Sequence, residues 1–88
     1  MNTNSQKVEN LINIGHKIAG RLNDVGIFTE ADLEQHGAAS AHHLIKKKYP
    51  NEILPVCYYL YSFEGALTDT HWNEIPEKTK IKLLEKIK

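Results

Sequence analysis

This sequence lacks an excess of charge of either sign, a second cysteine and any long apolar run. Eleven acidic side chains balance eleven basic ones, leaving the five histidines aside. A strongly basic nucleic-acid binder normally carries a clear positive surplus, so this balance argues against that class. The lone cysteine, Cys57, excludes an intramolecular disulfide framework and fits a reducing cytoplasm. The longest apolar stretch, Ile53 to Phe63, is interrupted by Pro55 and Ser62. It falls short of the roughly 20 residues that a membrane-spanning helix needs. The opening MNTNSQKVEN has neither the apolar core nor the cleavage pattern of a signal peptide, so a cytoplasmic protein with no membrane partner is expected.

What is present suggests one domain over residues 1–88, all-α, with five to six short helices. Asn4 or Ser5 is placed to cap a first helix reaching about Ile12, with Val8, Leu11 and Ile12 inward. Asn13-Ile14-Gly15 breaks the pattern. From His16 to Val25, Ile18, Ala19, Leu22 and Val25 recur at helical spacing, and Gly26 falls where a left-handed cap belongs. Ile27 and Phe28 read as a buried connector. Thr29 and Asp32 then form an Asp variant of the capping box for a helix that stops at Gly37. A fourth helix starts near Ser40 and ends before Tyr49-Pro50, because the residue before proline avoids helical geometry.

The stretch from Pro55 to Leu67 is apolar nearly all round and reads as a central helix, with Pro55 in its first turn and Thr68-Asp69-Thr70 as its stop. Pro76 opens the last helix, with Ile81, Leu84 and Ile87 as its inner stripe and Leu83 beside them.

The first two helices and the turn between them resemble a helix-hairpin-helix unit. A glycine at the start of a helix leaves backbone N–H groups open, and these can cradle a phosphate. The candidate phosphate or DNA contacts are Asn13, Gly15, His16, Lys17 and Arg21, with Lys46, Lys47 and Lys48 as a second basic group. Gly15 equally well makes a simple helix corner, and lysines at a helix C-terminus equally well complement its dipole. Asn13 stands where DNA-binding hairpins usually carry glycine. Between Arg21 and Lys46 there are four acids and neither lysine nor arginine; Lys78 to Lys88 holds five lysines against Glu85.

Gly65 in a helix interior suggests close approach by another backbone, since glycine there costs about 1 kcal/mol relative to alanine. Glu64, in the same apolar stretch, would need a hydrogen-bond partner if buried. Glu64, Gly65, His71 and Trp72 are therefore read as a structural lock. The histidines show no zinc spacing: His42 and His43 are adjacent and point about 100° apart on a helix. No metal, cofactor or catalytic constellation is expected, and the chain is not read as an enzyme.

Four segments together resemble the C-terminal domain of the TfoX/Sxy regulators: LINIGHK from Leu11, VGI-x-T-x-x-DL from Val25, EGAL from Glu64 and HWNEIP from His71. The likeness runs over roughly residues 8 to 88. It implies a helical domain with a hairpin-like start, found in proteins linked to natural transformation. In longer members another domain precedes it; so few residues precede the match here that a stand-alone version is expected. The function implied is regulatory and non-enzymatic, acting through a protein partner or self-association. The alternative is a DNA-binding hairpin that contacts phosphates through Lys17 and Arg21.

Overall fold

A local capping box fixes the start of one helix, and one long-range backbone pairing sets the chain's entry. The computed structural model describes residues 6–56 and 58–87. Among these, five α-helices follow in order: α1 (His16–Asp24), α2 (Glu30–His36), α3 (Ala38–Lys48), α4 (Leu60–Thr68) and α5 (Glu77–Lys86). Two 3-10 turns, Val8–Asn10 and Trp72–Glu74, precede α1 and α5. No strand forms among the described residues; one isolated antiparallel bridge joins Lys7 to Thr29. The fold is all-α. Its radius of gyration, 12.0 Å, matches the value of about 12 Å expected for a compact chain of this length.

The first segment is a 3-10 turn, not the α-helix its spacing suggests. The Val8 N–H donates to the Phe28 carbonyl at 3.0 Å and the Glu30 N–H to the Gln6 carbonyl at 2.7 Å. This pairing holds the chain extended on both sides and leaves room for a single tight turn. Val8 and Leu11 are buried as expected, whereas Ile12 lies at the surface. The expected caps at Asn4 and Ser5 lie outside the described residues. Phe28 is also a correction: its backbone is used in the pairing, but its side chain is 55% exposed.

The capping box at Thr29 is present in both directions, with Asp32 N–H donating to Thr29 Oγ1 at 3.2 Å and Thr29 N–H to Asp32 Oδ2 at 3.2 Å. Phe28 N–H donates to the same carboxylate at 3.0 Å, and these amides hold Asp32 below the usual carboxylate pKa. Gly37, at φ +82, turns α2 directly into α3. That helix therefore begins at Ala38, earlier than Ser40, and its small residues Ala38 and Ala41 face the core.

Helix α4 starts at Leu60, five residues later than the sequence pattern suggests. The Pro55 carbonyl accepts from both Tyr58 and Tyr59 N–H groups, and Tyr61 N–H reaches back to Val56. These bonds make the approach an irregular turn. Cys57 lies outside the described residues. From Leu60 the expectation of a central helix is met: Leu60, Tyr61, Phe63, Gly65 and Ala66 are buried, and α4 packs against α2, α3 and the second 3-10 turn. Asp69, in the left-handed region at φ 55, ends it. In α5 the buried residue is Leu83; Ile81 is half exposed, and Leu84 and Ile87 only flank the core. No helix among the described residues is long and apolar enough to cross a membrane.

Candidate functional site

Helix α1 begins at Gly15, an extended N-cap with no side-chain cap. The first amides of a helix have no helical carbonyl to bond, so those of His16, Lys17 and Ile18 open toward the surface. Gly15, His16, Lys17 and Ile18 line one side of a cleft of about 500 Å³. Glu52, Ile53 and Pro55 supply the opposite wall, and Tyr58 and Tyr59 the end. Ile53 is 88% exposed and Tyr58 58%. Large apolar side chains at such exposure beside a concave surface mark a contact site more often than scattered surface residues do.

The candidate contact residues near this cleft divide into two groups. Gly15, His16 and Lys17 line it and are exposed. Arg21 is engaged elsewhere: one guanidinium nitrogen lies 2.7 Å from Glu52 Oε1 and 2.6 Å from Oε2, with the group 4.0 Å above the Tyr49 ring. Tyr49 and then Glu52 raise its pKa above the ordinary value, against some loss of solvent. The Tyr49 hydroxyl donates to the Asp24 carboxylate, which pushes the phenol's pKa up. Lys46 is also occupied, donating to the carbonyls of Pro50 at 3.2 Å and Glu52 at 2.8 Å. Lys47 and Lys48 are exposed in the last turn of α3. The basic residues singled out from the sequence thus serve partly as ties for the cleft's outer wall.

Asn13 is turned inward. Its backbone is left-handed, at φ 73, and its carboxamide bridges to the far end of α4. Nδ2 donates to the Thr70 carbonyl at 2.9 Å and, at 3.4 Å, to that of Ser62; Oδ1 accepts from the Trp72 N–H at 3.1 Å. Gly65 sits under this bridge. A Cβ added there would meet the Thr70 carbonyl oxygen at 2.2 Å and Asn13 Nδ2 at 2.4 Å. The close approach inferred from Gly65 is real, and the group making it is the Asn13–Thr70 bridge.

The other residues of the lock contribute differently. Glu64 is half-exposed, so its carboxylate needs no protein partner; neither Trp72 nor His71 bonds to it among the described residues. His71 Nδ1 lies 2.6 Å from Asn73 Oδ1. Its ring contacts Trp72 at a centroid distance of 5.6 Å, and Trp72 in turn meets Tyr58 at 6.0 Å. The chain of rings connects the lock to the cleft's rim.

His42, on α3, carried no functional signal in the sequence beyond its adjacency to His43. It is buried, with Nε2 lacking a hydrogen-bond partner. Burial first, and then the charges of Lys46 and His43, lower its pKa from 6.5, while the Leu54 backbone opposes the shift. No group of three or more potential metal ligands converges among the described residues.

Among solved structures, the chain is similar to an uncharacterised protein from Listeria monocytogenes. The two superpose with a TM-score of 0.78 and share 28% identity, over 89% of this chain and 85% of the other. None of the curated proteins matches the sequence. The model of the TfoX C-terminal domain family matches residues 4–87, nearly the whole length. The chain belongs to that family.

Proposed function

We propose that this member of the TfoX C-terminal domain family is a non-enzymatic regulatory domain that acts through protein contacts. The observation that carries the reading is the cleft between the start of α1 and residues 52–55 and 58–59, rimmed by Ile53 and Tyr58 at 88% and 58% exposure. Its outer wall is tied down by Arg21–Glu52 and by Lys46, so the surface is pre-organised, which lowers the entropic cost of docking. Membership of the TfoX C-terminal domain family supports a role in the regulation of natural transformation. A photoreactive side chain placed at position Tyr58 in cells tests the reading. It is expected to yield discrete protein adducts, whereas the same group at Lys82, on the exposed side of α5, yields none. Adducts absent at Tyr58, or equal at both positions, overturn it.

A second reading is supported by the open amides of α1 beside His16 and Lys17. Together these form an anion site suited to DNA phosphates, without base readout. This reading requires affinity for duplex DNA that falls steeply with salt and weakens in Lys17→Glu. DNA binding absent at low salt removes it.

A further inference from the structure

Residues 51–56 alternate between exposed and half-buried: Asn51, Ile53 and Pro55 lie outward, Glu52, Leu54 and Val56 inward. That is the two-residue period of a β-strand lying with one face on a core, and Leu54 and Val56 do pack against the core. The backbone, however, is held from one side only. The Glu52 carbonyl accepts from Lys46 Nζ at 2.8 Å, and the Leu54 backbone faces the His42 ring. Lys46 and His42 are four residues apart on α3, a rise of about 6 Å at 1.5 Å per residue. An extended chain advances roughly 6.6 Å over two residues. The segment therefore runs back along α3, with the backbone of residues 52 and 54 turned toward that helix.

Ile53, between them, is turned the other way. In extended backbone the N–H and C=O of one residue point to the same side, and those of its neighbours to the opposite side. Ile53 thus directs both groups away from α3, and neither has a partner among the described residues. Its side chain lines the cleft. Pro55 has no N–H and its carbonyl is taken by the Tyr58 and Tyr59 amides, so the open edge ends there. Resting on the reading of the cleft as a protein-contact site, the structure assigns the edge at Ile53 to an extended segment of a partner protein, added as a short antiparallel strand. One residue of that segment exchanges both backbone bonds with Ile53. Such addition draws affinity from main-chain bonds and specificity from alternate side chains. The exposed Ile53 side chain favours a β-branched or aromatic residue opposite it. Charge defines the flank: Glu52 is neutralised by Arg21, whereas Lys17, on the other side of the cleft, has no ion pair among the described residues. An acidic residue in the segment is its complement.

Selection of a random displayed peptide library on the whole chain, followed by titration of the enriched peptides in synthetic form, tests the assignment. Enriched peptides are expected to share an acidic residue beside alternating apolar ones. N-methylation of the peptide backbone, one residue at a time, should weaken binding by about tenfold at the residue opposite Ile53 and leave both its neighbours close to the unmodified affinity. On the protein, Ile53→Pro removes the N–H and should give a similar loss, while Ile53→Val keeps it and binds close to wild type. Both variants are expected to unfold at the wild-type midpoint, because the Ile53 side chain lies outside the core. Peptides that bind Ile53→Pro as tightly as wild type, or a methylation profile without alternation, overturn the strand pairing. A library that yields no binder while discrete adducts form at Tyr58 also overturns it and leaves the cleft reading standing. No binder and no adduct remove both.

Discussion

The Asn13 carboxamide occupies the space that a side chain on Gly65 would take, 2.4 Å from the position of a Cβ there. The two residues are 52 apart in sequence, and together they join the turn before α1 to the end of α4. Asn13 fills the gap that Gly65 leaves, and the Thr70 carbonyl and Trp72 amide absorb its hydrogen bonds.

Gly65→Ala is therefore expected to destabilise the fold by about 2–4 kcal/mol, as overpacking against rigid groups does. An alanine in an unhindered helix would instead stabilise by up to about 1 kcal/mol, so the sign of the change discriminates. The obstructing atom includes backbone, the Thr70 carbonyl, which cannot swing aside as a side-chain end can. Urea unfolding followed by circular dichroism measures it; an unchanged or higher midpoint contradicts the packing.

Asn13→Ala removes the bridge and leaves the Thr70 carbonyl and Trp72 N–H without it, at an expected cost of about 2–3 kcal/mol. Asn13→Gly loses the same bonds but accepts φ 73 without strain, so it should fall between Asn13→Ala and wild type. That ordering, read from unfolding midpoints, separates the two contributions. In an Asn13→Gly, Gly65→Ala double variant the losses should be less than additive, since one of the two obstructions is gone.

How far these features are legible in the sequence depends on how local their causes are. Thr29 and Asp32 stand three residues apart, and the capping box they form appears as read. Gly65 announces a close approach because a helix glycine has a known cost. The identity of what approaches stays hidden, because Asn13 is distant in sequence and has the same left-handed tolerance wherever it stands. The Pro55–Leu67 stretch misleads for a related reason. Its apolar residues fit a helix equally well, and the tertiary bonds from Pro55 and Val56 to the tyrosine amides decide otherwise. Arg21 and Lys46 look like free cations in one dimension. Only the folded loop supplies Glu52 and the carbonyls that occupy them.

His42 gives the fold an acid sensitivity of defined sign. Burial lowers its pKa below the unfolded value of 6.5, so the unfolded chain binds the proton more readily. This contribution to stability is full above about pH 6.5 and is lost as pH falls from there toward the folded pKa. Asp32, whose folded pKa lies below 3.8, adds its own loss only at more acidic pH, as its carboxylate protonates. His42→Leu, which keeps the volume and removes the buried Nε2, should flatten the higher of the two windows and leave the lower one. Thermal melts at half-unit steps between about pH 2 and pH 8 read this out. A pH profile identical to that of wild type would falsify the assignment.

The cleft's outer wall is held by charge, and its rigidity should be separable from the stability of the fold. Glu52 receives Arg21 through its side chain and Lys46 through its carbonyl, so one residue gathers both ties. Glu52→Gln keeps the carbonyl and the shape of the side chain but weakens the pairing with Arg21. Pairs this exposed contribute little to global stability, whereas local opening of a loop responds to the few contacts that anchor it. Amide exchange across residues 50–59 is therefore expected to quicken in Glu52→Gln, while exchange in α4 and the unfolding midpoint stay close to wild type. Lys46→Met should act on the same amides through the other tie, and the double variant should exceed either alone. Exchange in that loop unaffected by both substitutions would mean that packing, not charge, holds the wall. The apolar contacts of Leu54 and Val56 with the core would then be the anchors to remove.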